Sequence, residues 1–176
     1  MDFHFRRPEL RDLERARGEA LTLGVFQDER PLRGLAGLLD WRLCGRLSRL
    51  ISEDVFSGGY GETMLLPSHG RLAFEKVFVH GLGTKADFDL DRLESVIGVM
   101  LGTLARAHAR SSALSLPGRG LFDRTEAMAQ LLRVADDYPD IDELCLAESV
   151  EDQRALTSIV EGERRRARAL VVRDEG

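Results

Sequence analysis

Short apolar runs alternate with longer amphipathic stretches along most of the chain, and this alternation constrains the fold more than any other feature. A short apolar run bounded by Gly, Pro or charge suits a buried strand, whereas apolar residues spaced by three and four suit a helix with one buried face. Between Asp2 and Arg7 polar and apolar residues alternate, as on an edge strand, and Pro8 ends the run. Further strands are predicted at Ala20–Phe26, Thr63–Leu66, Lys76–His80, Ser112–Leu116, Leu144–Ala147 and Ala169–Val172. Helical spacing predicts a short polar helix through Glu14 and longer helices over Leu35–Ser52, Leu93–Ala109, from Asp123 to about Asp136 and from Ser149 to about Gly162.

The first long helix gathers Leu35, Leu39, Leu43, Leu47, Leu50 and Ile51 on one face, with Arg42, Arg46 and Arg49 as a solvated stripe opposite. The second gathers Leu93, Val96, Ile97, Met100, Leu101 and Leu104. Its Gly98 and Gly102 lower helix stability, and close approach to a sheet is the expected reason for them. Asp123 with Glu126 reads as an N-cap pair, and Ser149 as a second cap. Strands and helices in this order predict an α/β fold, a three-layer α/β/α sandwich on a mixed sheet. The short connection between Thr63–Leu66 and Lys76–His80 predicts one antiparallel pair in that sheet. With 176 residues and no repeat, linker or low-complexity tract, residues 1–176 are expected to form one domain.

A composition of 43% hydrophobic and 31% charged residues is that of a globular protein. A net charge of −5 argues against a general nucleic-acid binder, which needs a basic face. The densest basic cluster, Arg164, Arg165, Arg166 and Arg168, reads as a solvated helix end, where cations are favoured. The two cysteines, Cys44 and Cys145, and the scattered His4, His69, His80 and His108 have no metal-ligand spacing. Both cysteines are expected as buried free thiols. No apolar run has the length of a membrane span, and the N-terminus lacks an apolar signal core. The expectation is a cytoplasmic domain without metal, cofactor or membrane contact.

Three glycine-bearing loops lie next to strand ends. Gly58, Gly59, Gly61, Gly81, Gly83, Gly118, Arg119 and Gly120 are the candidate ligand rim, because glycine lets backbone N–H groups approach an anion. Open α/β sheets bind ligands in a crevice beyond the strand ends. Asp123 and Thr125 begin a helix whose positive end would contribute there. Ordinary turn glycines and an exposed Arg119 are the competing reading. His80 has no visible partner to orient it as a base and is read as a satisfied core or rim histidine. Glu62 is expected to bond a loop backbone. Trp41, off the main apolar stripe, is read as a core-edge residue, with an interface anchor as the alternative.

In order along the chain come Ala20-Leu21-Thr22-Leu23-Gly24-Val25-Phe26, the helix Leu35–Leu47, Phe56-Ser57-Gly58-Gly59-Tyr60-Gly61-Glu62, then Lys76-Val77-Phe78-Val79-His80-Gly81-Leu82-Gly83 and the helix beginning near Asp91. Taken together, these segments resemble the N-terminal domain of the leucine aminopeptidase family. The resemblance spans roughly residues 18–172 and implies a macro-domain-like fold. Ser112–Phe122, a strand, a Pro-x-x-Gly turn and an aromatic, and Leu144–Val160 are similar to macro domains as well. In that family the peptidase chemistry belongs to a second domain, with two metals, a Lys, acidic ligands and an Asn-Thr-Asp-Ala-Glu-Gly-Arg-Leu motif. The present sequence contains none of these and no Asn at all. It also lacks the Gly-Asp-Ile and Asn-Ala-Asn motifs of ADP-ribose-binding macro domains. The end of the sequence, near Ala169–Val172, falls about where the catalytic half is expected to begin. The resemblance therefore implies no catalytic residues and a non-catalytic interaction module, because in the family this half contributes to hexamer assembly. Its partner would be a second copy or another protein, such as a full-length aminopeptidase. The alternative is a module that binds a small anionic nucleotide such as ADP-ribose.

Overall fold

The computed structural model describes residues 1–13, 15 and 18–174. Six strands form one sheet: β1 (Asp2–Arg6), β2 (Ala20–Val25), β3 (Thr63–Pro67), β4 (Lys76–Gly81), β5 (Ser111–Leu114) and β6 (Glu143–Ala147). Their spatial order is β1-β6-β5-β2-β4-β3. Every neighbouring pair is parallel except β3–β4, the predicted antiparallel pair, in which Thr63 lies opposite His80. Strand β1 is at one edge, as its alternating pattern predicts.

Helices cover both faces and complete the three-layer sandwich. On one face α4 (Leu90–Arg106), α5 (Arg124–Ala135) and α6 (Val150–Asp174) pack over Ala20, Phe78, Leu114, Leu144 and Leu146. All six predicted apolar positions of α4 are buried. On the other face α2 (Gly34–Arg42) and α3 (Arg46–Ser52) pack over Leu21, Leu23, Val25, Val77 and Val79. A short α1 (Leu10–Leu13) precedes β2. Its expected end at Glu14 lies outside the described residues. Strands β2 and β4 are buried on both sides, which is why they read as unbroken apolar runs rather than alternating ones.

Four local expectations are corrected. The helix predicted over Leu35–Ser52 is two helices, because Cys44 and Gly45 take positive φ of 57° and 73°. Asp40 stabilises the break: its Oδ1 accepts the N–H groups of Leu47 and Ser48 at 2.8 and 3.0 Å. Leu43 and Leu47 stay buried across it, so the apolar spacing survives while the helix does not. Second, Gly98 faces Val134 of α5 and Gly102 faces Tyr138 just beyond that helix, and neither faces the sheet. The Tyr138 hydroxyl donates to the Gly98 carbonyl at 2.9 Å, and a Cβ on Gly102 would lie 3.3 Å from that hydroxyl. Third, Ala169–Val172 belongs to α6 and is not a strand. No Pro stops the helix after Gly162, and a four-residue apolar run is too short to distinguish the two. The side chains of Arg164, Arg166 and Arg168 lie outside the described residues; Arg165 is exposed. Fourth, Cys44 is exposed, brought to the surface by the helix break, while Cys145 is partly buried and its thiol pKa is raised by that burial.

Candidate functional site

The carboxyl ends of β2, β5 and β6 open on a crevice of about 260 Å³. Apolar groups line most of it, among them Val25, Phe26, Leu35, Leu82, Leu116 and Ala147; Arg33, Lys85 and Arg119 stand at its rim. Of the predicted rim residues, the structure brings Gly118 and Arg119 to this crevice.

Gly58, Gly59, Gly81 and Gly83 form a separate cluster in which loop backbones press on one another. A Cβ on Gly81 would lie 1.9 Å from the Gly59 carbonyl oxygen. The Gly83 N–H donates to the Gly58 carbonyl at 2.9 Å, and the Gln27 N–H donates to the Gly83 carbonyl at 2.8 Å. Glu62 binds the same loop from inside. Its Oε2 accepts the N–H groups of Ser57, Gly58 and Gly59 at 2.9, 2.9 and 3.2 Å, and its Oε1 accepts the Ser57 hydroxyl at 2.8 Å. This is the backbone-bonding role expected of it. Burial pushes the Glu62 carboxyl pKa up, but the Ser57 hydroxyl and the three N–H groups outweigh it and hold the carboxyl below its usual range. Three N–H groups that would face an anion are thus already bonded. A Cβ added to Gly61 or Gly120 would meet nothing within 4 Å.

The turn after β5 is shaped by aromatic packing and then closed by charge. A Cβ on Gly118 would strike the Phe122 ring at 2.6 Å. That ring continues a chain through Phe88 to Phe26, with centroid separations of 6.0 and 5.1 Å. Beneath the turn lies a residue that sequence reasoning missed. Glu148, directly after β6, is fully buried and pairs with both Arg124 and Arg119. Arg124, buried in the first turn of α5, also donates to the carbonyls of Pro117 and Leu116 at 3.1 and 3.0 Å. Arg119 reaches across the crevice rim to Asp152 at 3.0 Å as well. The Ser149 hydroxyl lowers the Asp152 carboxyl pKa against the opposing effect of burial, and Arg119 lowers it further. The available signal was the position of Glu148, an ionisable group immediately following an apolar strand. A buried carboxylate needs a buried cation, but which of 25 basic residues supplies it depends on the folded chain. Asp123 caps α5, accepting the Thr125 N–H at 2.7 Å.

His80 is 1% exposed. Its Nδ1 lies 3.2 Å from the Thr63 hydroxyl, whereas its Nε2 has no hydrogen-bond partner among the described residues, so it is a core histidine half satisfied by them. Burial, and secondarily the charge of Arg106, lower its pKa to about 4. Trp41 departs from its core-edge reading: it is 73% exposed on α2, beside a hollow lined by Pro31, Leu32, Gly37, Cys44 and Gly45.

Residues 22–136 match the family model described as the cytosol aminopeptidase family, N-terminal domain. A probable cytosol aminopeptidase of a Geobacter species is 37% identical over 111 residues, which are 62% of this chain and 22% of the relative. The chain spans about a quarter of the length of the curated relatives it matches. Among solved structures, a tomato leucine aminopeptidase variant is similar with a TM-score of 0.62 and 19% identity, covering 89% of this chain and 35% of that one. A Trypanosoma brucei macrodomain in complex with ADP-ribose is similar with a TM-score of 0.67 and 17% identity, covering 88% and 66%. At these identities the structural likeness shows the fold, which is macrodomain-like, and the sequence match carries the kinship. The chain belongs to the cytosol aminopeptidase family, and the domain it contains is that family's N-terminal, non-catalytic one.

Proposed function

We propose that this domain is a non-catalytic interaction module that assembles with a second copy or with another protein, a full-length aminopeptidase of the same family being the first partner to test. The observation that carries this reading is Trp41. A tryptophan 73% exposed to water, with Leu38 one turn before it on α2 and a shallow hollow beside it, is the kind of group that anchors a protein interface. The crevice points the same way, because two of the three basic groups at its rim are already paired: Arg119 with Glu148 and Asp152, and Lys85 with Glu29. The names of the relatives support a cytoplasmic location, and among the described residues no helix is long and apolar enough to cross a membrane. Light scattering after size exclusion, with and without a full-length aminopeptidase from the host, tests the reading. Trp41→Ala is expected to weaken association at least tenfold with the melting temperature unchanged, and equal association of variant and native chains would end it.

The second reading is a crevice that takes a small anionic nucleotide. It is favoured by the position of the crevice at the strand carboxyl ends and by the solved macrodomain that holds ADP-ribose. It requires Arg119 to exchange Glu148 and Asp152 for the ligand. Ligand at one hundred times its Kd would stabilise the fold by about 2.7 kcal/mol. Absence of any thermal shift at millimolar ADP-ribose sets this reading aside.

A further inference from the structure

We infer that the outer edge of β1 is a self-association surface, occupied by the same strand of a second copy running antiparallel about His4. Strand β1 ends the sheet: its inner edge pairs with β6, and no described strand lies beyond its outer edge. The Asp2 N–H donates to the Asp142 carbonyl at 2.6 Å, and the Arg6 carbonyl accepts the Glu148 N–H at 2.8 Å. In a parallel ladder both main-chain groups of one residue point to the same side, and successive residues alternate sides. Asp2, His4 and Arg6 therefore face β6, and Phe3 and Phe5 direct their N–H and C=O groups outward. Such a row is a template for another strand. Within Asp2–Arg6 there is no Pro, Lys or Gly to blunt it.

The register follows from the same alternation. Outward residues must meet outward residues, which leaves two-fold axes through Phe3, His4 or Phe5. The axis through His4 overlaps all five residues. It sets Phe3 opposite Phe5 as two hydrogen-bonded pairs, His4 opposite His4, and Asp2 opposite Arg6 twice by symmetry. Opposite charges directly across an antiparallel pair are favourable, and this register is the one that matches Asp2 with Arg6. The apolar face agrees. Phe3 and Phe5 are half-buried against the α5–α6 side of the core, and a groove lined by Met1, Phe3, Leu132, Ile159 and Val160 runs beside Phe3. The pairing brings Phe5 of the second copy alongside that groove. Two six-stranded sheets would then join into one of twelve.

This inference deepens the self-assembly arm of the proposed function, but it uses a different surface from Trp41, so the two can fail separately. Sedimentation equilibrium on the full chain is expected to show a dimer. Asp2→Arg and Arg6→Asp, each turning two attractive pairs into repulsive ones, should each weaken it about tenfold or more. The double variant restores complementarity and should recover most of that loss, a result no local structural role of either residue predicts. In a Cys44→Ser, Cys145→Ala background, chosen because Cys145 is the register neighbour of His4 on β6, His4→Cys should give a disulfide-linked dimer on mild oxidation. Arg6→Cys, which meets Asp2 and not itself, should not. A native chain that stays monomeric at millimolar concentration, a double variant no tighter than the singles, or crosslinking equal at positions 4 and 6 would overturn the inference. A monomer that still captures an aminopeptidase through Trp41 would overturn it while leaving the interaction reading standing.

Discussion

On one side of the strand ends, the turn at Gly58–Gly59 presses its backbone directly on Gly81 and Gly83; on the other, the turn at Pro117–Gly120 stands off and is tied down by Arg124, Arg119 and Glu148. Both turns are glycine-bearing, and in the sequence they look alike. The first is fixed by contact between main chains, where there is no room for a side chain. The second is fixed by a buried carboxylate and two guanidinium groups, with open space around Gly120. Glycine in a loop therefore says that the backbone is crowded or turned, and it does not say by what.

That contrast can be broken most severely at Glu148. Glu148→Ala leaves Arg124 buried without its carboxylate, and breaking a buried pair from one side costs about 3–5 kcal/mol. Urea unfolding of this variant should show the loss, and Glu148→Gln should recover part of it through its remaining acceptor. If Glu148→Ala melts like the native chain, the charged anchor is not what holds the turn.

The glycine side breaks next. Gly81→Ala drives a methyl group into the Gly59 carbonyl, a backbone atom that cannot swing away. Overpacking of this kind costs about 3 kcal/mol, read from the same denaturation curves. A nearly silent Gly81→Ala would mean that the Gly58–Gly59 turn shifts freely.

Acid should loosen the glycine side through the neighbour of Gly81. His80 has a folded pKa of about 4, below the ordinary value near 6.5. The unfolded chain therefore binds a proton that the folded chain refuses between those two values. Stability is complete above pH 6.5 and falls as pH drops through this window, by about 2–3 kcal/mol at pH 4. The His80→Gln variant should lose that part of the pH dependence, and identical acid profiles for the two proteins would remove His80 as its source.

The smallest effects belong to the exposed part of the charged turn. Gly120→Ala meets no neighbour, and only its φ of 83° resists the substitution, at about 1 kcal/mol. Arg119→Ala removes a half-exposed side chain while Arg124 continues to neutralise Glu148, so the loss should stay below about 1 kcal/mol. A larger loss for Arg119→Ala than for Glu148→Ala would invert the assigned hierarchy.

Most of the architecture was legible beforehand, because it depends on periodicity. The two-sided burial of β2 and β4 appears as continuous apolar runs, and the buried face of α4 appears as spacing by three and four. In places a local conformation overrides the pattern. The leucines from Leu35 to Leu47 keep helical spacing, yet Cys44 and Gly45 turn left-handed because Asp40 is placed to bond the next helix start. Trp41 could be assigned to a helix but not to solvent, since exposure depends on what the rest of the chain leaves uncovered.

The amino-acid sequence alone carried the alternation of strand and helix, the layered fold, the edge position of β1 and the family kinship, all of which rest on local pattern or on residue order. It also marked the glycine turns and the backbone-bonding role of Glu62, since that carboxylate binds N–H groups only three to five residues away. The separation of the turns into two unlike sets, the meeting of Glu148 with Arg124 across 24 residues and the lack of a partner for His80 Nε2 among the described residues emerge only in the folded molecule. The difference is one of range. Spacing and capping act within one element, whereas charge pairing, burial and backbone contact between loops depend on which distant segments the folded chain brings together.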